Sequence, residues 1–140
     1  MFLRERGELG QEAVVVWTGR LVADAEAVVT EVYVPEQTPL TDGDGVGVYI
    51  SGDAITRLIL SLREGERVLA RVHSHPRFAF HSDTDDLNRL ISHEGALSIV
   101  VPYFASRGVD LAICSVNEFM REQGWQELAA ADVEARVTIR

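Results

Sequence analysis

Ala13-Val14-Val15-Val16-Trp17 is the stretch that most narrows what this chain can fold into. β-branched side chains lose χ1 freedom against the preceding turn of a helix but pack well on a pleated surface, so the run predicts a buried strand, bounded by Gly19. Similar apolar runs recur at Val28–Val34, ended by Pro35, at Val48–Ile50, Val68–Val72, Leu97–Val101 and Asp110–Cys114. Helical spacing alternates with them. Ser51-Gly52-Asp53 supplies an N-cap for a helix with Ile55, Leu58, Ile59 and Leu62 on one face, and Leu87, Leu90 and Ile91 predict another from about Asp83 to Ser92. Residues 4–12 are polar and predict at most a short helix broken by Gly7 and Gly10. Glu36–Gly47, with Pro39 and Asp42-Gly43-Asp44-Gly45, reads as a long loop of the functional kind. The tail carrying Trp125, Leu128, Val133 and Val137 is expected to close the sheet. Alternating strands and helices predict an α/β fold with a curved mixed β-sheet flanked by helices. A length of 140 residues, 46% hydrophobic and 25% charged, fits one domain over 1–140.

Other classes are excluded on composition. A net charge of −9 argues against a nucleic-acid surface, which needs clustered Lys and Arg. No apolar run approaches the roughly 18 residues that a membrane span requires. Met1-Phe2-Leu3-Arg4-Glu5-Arg6 breaks into charge at once, without the apolar stretch of a signal peptide, so a cytoplasmic location is expected. Cys114 is the sole cysteine, which rules out an intrachain disulfide and a thiolate zinc cluster.

The chemistry gathers where the run Val68–Val72 passes into His73-Ser74-His75-Pro76. Side chains at i and i+2 of an extended segment share a side, so both imidazoles can reach one cation, and Pro76 ends the strand. Beyond the loop Arg77–His81, Ser82-Asp83-Thr84-Asp85-Asp86 opens the expected helix. Two imidazoles and a carboxylate form a three-ligand zinc site with a fourth position left for water. Hydrolysis then requires a further carboxylate, off the metal, to carry a proton from that water to the leaving amine.

The string RVHSHPRFAFHSDTDD, Arg71 to Asp86, resembles the signature of the JAMM/MPN metallopeptidases: a distant Glu, His-x-His-Pro, a short loop, and Ser-x-x-Asp. The resemblance extends over most of the chain and implies a single JAMM/MPN-type domain of the bacterial branch. It implies Zn2+ held by His73, His75 and an aspartate, with Glu12, directly before the buried strand, as general base. It also implies that Ser82 steadies the tetrahedral intermediate. The loop Arg77–His81 is one residue shorter than the family's usual loop, which leaves the aspartate open. Counting from Ser82 gives Asp85, favoured because a loop absorbs a deletion more easily than a helix start changes register. Counting from His75 gives Asp86, which lies nearer the face of Leu87 and Leu90.

By resemblance, the substrate is a ubiquitin-like protein or its conjugates, cleaved at an amide or isopeptide bond after the C-terminal tail. Ubiquitin-activating-like and ubiquitin-conjugating-like proteins are the implied partners. A sulfur-carrier processing peptidase and a non-catalytic MPN-like interaction module are the alternatives. Eleven residues separate Asp85 from the strand at Leu97, too few for the insertion some relatives use to grip ubiquitin chains, so one tail is the expected ligand.

Simpler roles compete at several positions. Ser82 with Asp85 also resembles a capping box, a role compatible with catalysis. Asp83 and the unused aspartate are favourable charges at a helix N-terminus. His81 reads as a loop histidine, His93 as a helix-end histidine, and Cys114 as an inert buried thiol.

Overall fold

A computed structural model of the chain describes residues 1–23, 26–42, 45–80, 90–91 and 93–138. Among these, the strands β1 (Val14–Ala23), β2 (Glu26–Tyr33), β5 (Glu66–Ser74), β6 (Leu97–Val101), β7 (Ser115–Met120) and β8 (Gly124–Glu127) form one sheet in the order β2-β1-β5-β6-β7-β8. β5 and β6 are parallel and every other neighbouring pair is antiparallel. β3 (Thr38–Asp42) and β4 (Gly45–Tyr49) make a separate hairpin. The helices are α1 (Phe2–Glu8), α2 (Gly52–Ser61) and α3 (Ala130–Arg136). The expected mixed α/β class is the observed one.

The valine run divides its side chains between two cores, one on each face of the sheet. Val15 joins Val72, Ile99, Val101 and Val116 on the face that α1 and α3 cover through Leu3 and Val133. Val14 and Val16 join Val68 on the opposite face, beneath Ala54 and Leu58 of α2. Ser51 caps α2 as expected: its hydroxyl accepts from Ala54 N–H at 3.1 Å.

Several sequence expectations change. The stretch Glu36–Gly47 is no open loop, for most of it forms the β3–β4 hairpin, where Asp42 pairs with Gly45 and Thr38 with Tyr49. Asp42-Gly43-Asp44-Gly45 is thus a hairpin signal, and Pro39 is tolerated because a two-stranded sheet is all edge. The strand expected at Val48–Ile50 is present as the end of β4, which begins earlier, at Gly45, and stops at Tyr49. Asp110–Cys114 is a turn. The Asp110 carboxylate accepts from Ala112 N–H at 3.0 Å, and Ile113 N–H donates to the Asp110 carbonyl, which takes up the main-chain groups a strand would use. The strand β7 begins only after this turn, at Ser115. Gly7 does not break α1, which runs through it to Glu8. The helix expected from Asp83 to Ser92 falls outside the described residues, except that Leu90 and Ile91 are buried and non-helical. The tail does close the sheet through β8, and α3 then packs Val133 back onto the core. No helix among the described residues is long and apolar enough to cross a membrane.

Leu58 is fully buried and ties α2 to the face of the sheet that carries the histidines. Leu58→Ala is expected to lower the unfolding free energy by about 2–5 kcal/mol, measured by urea denaturation with an unchanged m-value.

Candidate active site

β5 delivers Arg71 and His73 to one face, and the chain then leaves the sheet through His75 and Pro76. His73 is 3% exposed and His75 6%. Their ring centres lie 5.0 Å apart with the planes at 64°. That separation suits a shared cation. Zn–N bonds of about 2.0–2.1 Å put each ring centre about 3.2 Å from the ion, hence roughly 5 Å from its neighbour at the tetrahedral angle. Imidazole nitrogen is also the right donor chemistry for zinc.

Glu12 reaches the same place through strand pairing. In the antiparallel ladder of β1 and β5, Val14 pairs with His73. The pairing continues past the strand ends: Ser74 N–H donates to the Ala13 carbonyl at 3.0 Å, and Ala13 N–H donates to the Ser74 hydroxyl at 3.2 Å. The next step of that register brings Glu12 opposite His75. Glu12, His73 and His75 accordingly line one cleft of about 630 Å³. Among the described residues, no group of three His, Cys, Asp or Glu side chains is placed to hold a metal. Ser82, Asp85 and Asp86 lie outside the described residues, as do His81 and Asp83.

The rest of the cleft comes from β4, from Arg71 and from the segment that follows His75. β4 forms one wall with Gly45, Val46, Gly47 and Val48, and Phe78 and Phe80 form another. The Phe80 ring meets His75 edge-on at 4.9 Å. Arg71 lines the cleft while only 2% exposed. A buried guanidinium needs partners. One Arg71 nitrogen donates to the Ser98 hydroxyl at 3.0 Å, and the group sits 5.6 Å from the centre of the Trp125 ring. Arg71 flanks the histidines in sequence and, two residues before His73, shares its face; period-2 reasoning could also have found Ser74, which faces away from both histidines. Gly45, Val46 and Gly47 of the β4 wall fall in the stretch Glu36–Gly47 that the sequence marks as functional, though as a strand rather than a loop.

The backbone of His75 is held at both ends. Its N–H donates to the Val101 carbonyl at 2.9 Å, and its carbonyl accepts from Phe104 N–H at 2.7 Å. Tyr103 N–H likewise donates to the Arg77 carbonyl at 2.9 Å. Tyr103, Phe104 and Ala105 all have left-handed backbone, with φ of 54°, 51° and 56°. Such a conformation costs a non-glycine residue of order 1–2 kcal/mol, so this turn is strained in its service to the histidine loop.

The remaining titratable candidates lie elsewhere. Burial, then the nearby Asp110 carboxylate, pushes the Cys114 thiol up to about 11, the protonated and unreactive state expected of it. Burial, then Arg67, lowers the pKa of His93, which lines a groove apart from the cleft.

No protein-family model matches the chain. Over 138 residues it is 34% identical to the probable metalloprotease y4jG of Sinorhizobium fredii, covering 98% of this chain and 85% of that one. The solution structure of protein DSY2949 from Desulfitobacterium hafniense shares the fold, with a TM-score of 0.56, 22% identity, and coverage of 91% of this chain and 82% of the other.

Ser74 is fully buried, and its hydroxyl satisfies the Ala13 amide next to Glu12. Ser74→Ala is expected to destabilise the protein by about 1–3 kcal/mol, because it leaves a buried N–H without its acceptor. Chemical denaturation measures this; an unchanged midpoint would show that the link to Ala13 contributes nothing.

Proposed function

Because the chain belongs to a metalloprotease family, that of the Sinorhizobium protein, we propose that it is a JAMM-type zinc isopeptidase acting on the C-terminal tail of a ubiquitin-like protein. The observation that carries this reading is the His73–His75 pair, buried in a cleft that Glu12, just before β1, also lines. His73, His75 and Asp85, or Asp86 in its place, would hold Zn2+. Bound there, zinc supplies Lewis acidity, lowering the pKa of a water and polarising the scissile carbonyl.

The chain's own residues supply the rest. Glu12 takes a proton from the attacking water and returns it to the departing amine, the work of a carboxylate kept off the metal. Ser82 donates a hydrogen bond to the oxygen on which negative charge develops. Burial of both imidazoles keeps bulk water from competing for the ligands. Along the β4 wall a Cβ added at Gly45 or Gly47 would meet nothing within 4 Å among the described residues, which leaves room at the cleft for an extended tail. The exposed rings of Phe78 and Phe80 offer apolar contact on another side.

Purified protein is expected to hold one zinc per chain by metal analysis and to cleave a ubiquitin-like fusion or conjugate. Glu12→Gln should keep the metal and lose about 10²–10⁴-fold in turnover, the usual worth of a positioned acid–base group. His73→Ala should lose the metal and the activity together. Zinc-free wild type, or a Glu12→Gln variant with full turnover, would falsify the reading. Asp85→Asn and Asp86→Asn, each assayed for zinc content, identify the third ligand.

A further inference from the structure

We infer that Gly7, in the last turn of α1, is a positioning residue for the histidine loop, and that bare backbone there is what lets the strained turn Tyr103–Ala105 hold His75. The inference rests on the metal-centre reading above and adds to it a part of the chain remote in sequence from every candidate ligand. A Cβ built on Gly7 would lie 2.5 Å from the Phe104 carbonyl oxygen, 3.2 Å from the carbonyl carbon, and in outright collision with the Phe104 Cβ. Real Cβ atoms essentially never come within 3.0 Å of a neighbour. Moreover, the obstructing atoms are backbone and Cβ, which cannot swing aside as the tip of a long side chain can. Any side chain at Gly7 therefore forces α1 and the turn apart.

The turn carries the two amides that fix the histidine loop. Phe104 N–H holds the His75 carbonyl, and Tyr103 N–H holds that of Arg77. The same helix end also governs the approach to Glu12. Leu9 and Gln11 N–H donate to the Arg6 carbonyl and Gly10 N–H to the Gly7 carbonyl, with Gly10 at φ 69° turning the chain toward Glu12. One close contact between α1 and the turn thus sets the relation between the proposed base and a proposed ligand.

Helix propensity alone favours alanine over glycine at such a position, so packing and propensity act in opposite directions and can be told apart. The test compares wild type, Gly7→Ala, Gly7→Ala/Phe104→Gly, and the control Gly52→Ala, whose added Cβ meets nothing within 4 Å among the described residues. Zinc affinity is measured by competition with a chromogenic chelator, and amide hydrogen exchange at Phe104 is measured in metal-free protein. Gly7→Ala is expected to weaken zinc binding about 10–100-fold, the range for residues that orient metal ligands, and to speed exchange at Phe104. The double variant should recover part of the loss, because glycine removes one colliding atom and suits left-handed backbone. Gly52→Ala should match wild type. Gly7→Ala with wild-type zinc affinity and exchange overturns the inference while leaving the metal centre standing. A wild type that binds no zinc removes the centre itself, and the inference with it. If Gly7→Ala does not fold, the double variant decides: regained fold and zinc binding uphold the pairing, and failure to regain them overturns it.

Discussion

The candidate site depends on the register between β1 and β5. Ser74 and Ala13 exchange hydrogen bonds, main chain to main chain in one direction and amide to hydroxyl in the other, just where the two strands run out. That pair fixes Val14 against His73 and carries Glu12 toward His75. Because side chains alternate with period 2, a slip of one residue would turn Val14 and Val16 into the wrong core and swing Glu12 away from the cleft. The two cores forbid that slip, since each strand buries apolar side chains on both faces. Hydrophobic burial, a force without direction, thereby holds a directional arrangement of ionisable groups.

A second constraint acts from below the histidines. The parallel pairing of β5 with β6 ends at Ser74 and Val101, and the chain after β6 turns back at once through Pro102 into three left-handed residues. That turn is unfavourable in isolation. It is held by its hydrogen bonds to His75 and Arg77, by burial of Ala105 in the core, and by the close approach of α1. Strain of this kind beside a functional loop is a familiar way of limiting its freedom. Buried Arg71 adds to the stiffness on the other side, linking β5 to Ser98 on β6 and to Trp125 on β8.

Much of this could be read from the residues alone, for identifiable reasons. Val14–Val16 and Leu97–Val101 are apolar enough to be strands in any context, and Ser51 caps α2 by a local hydrogen bond that depends on nothing distant. His73 and His75 were readable because i and i+2 on a strand share a side. The β3–β4 hairpin was missed because Pro and Gly in Glu36–Gly47 signal turns without saying whether the flanks pair. The turn at Asp110 was missed because an Asp side chain competing for backbone amides outweighs the β propensity of Leu111 and Ile113. Tyr103-Phe104-Ala105 gives no sign of left-handed backbone, and the need for glycine at position 7 exists only once α1 has met that turn. Those two features belong to tertiary structure and have no local signature.

The most direct measurement is X-ray absorption at the zinc edge of the metal-loaded protein, which reports donor types and distances independently of any substrate. The expected spectrum shows two imidazoles with nitrogen at about 2.0–2.1 Å and the remaining donors as oxygen, and it loses imidazole scattering in His75→Ala. A sulfur donor, or a zinc shell with fewer than two imidazoles, would contradict the proposed centre.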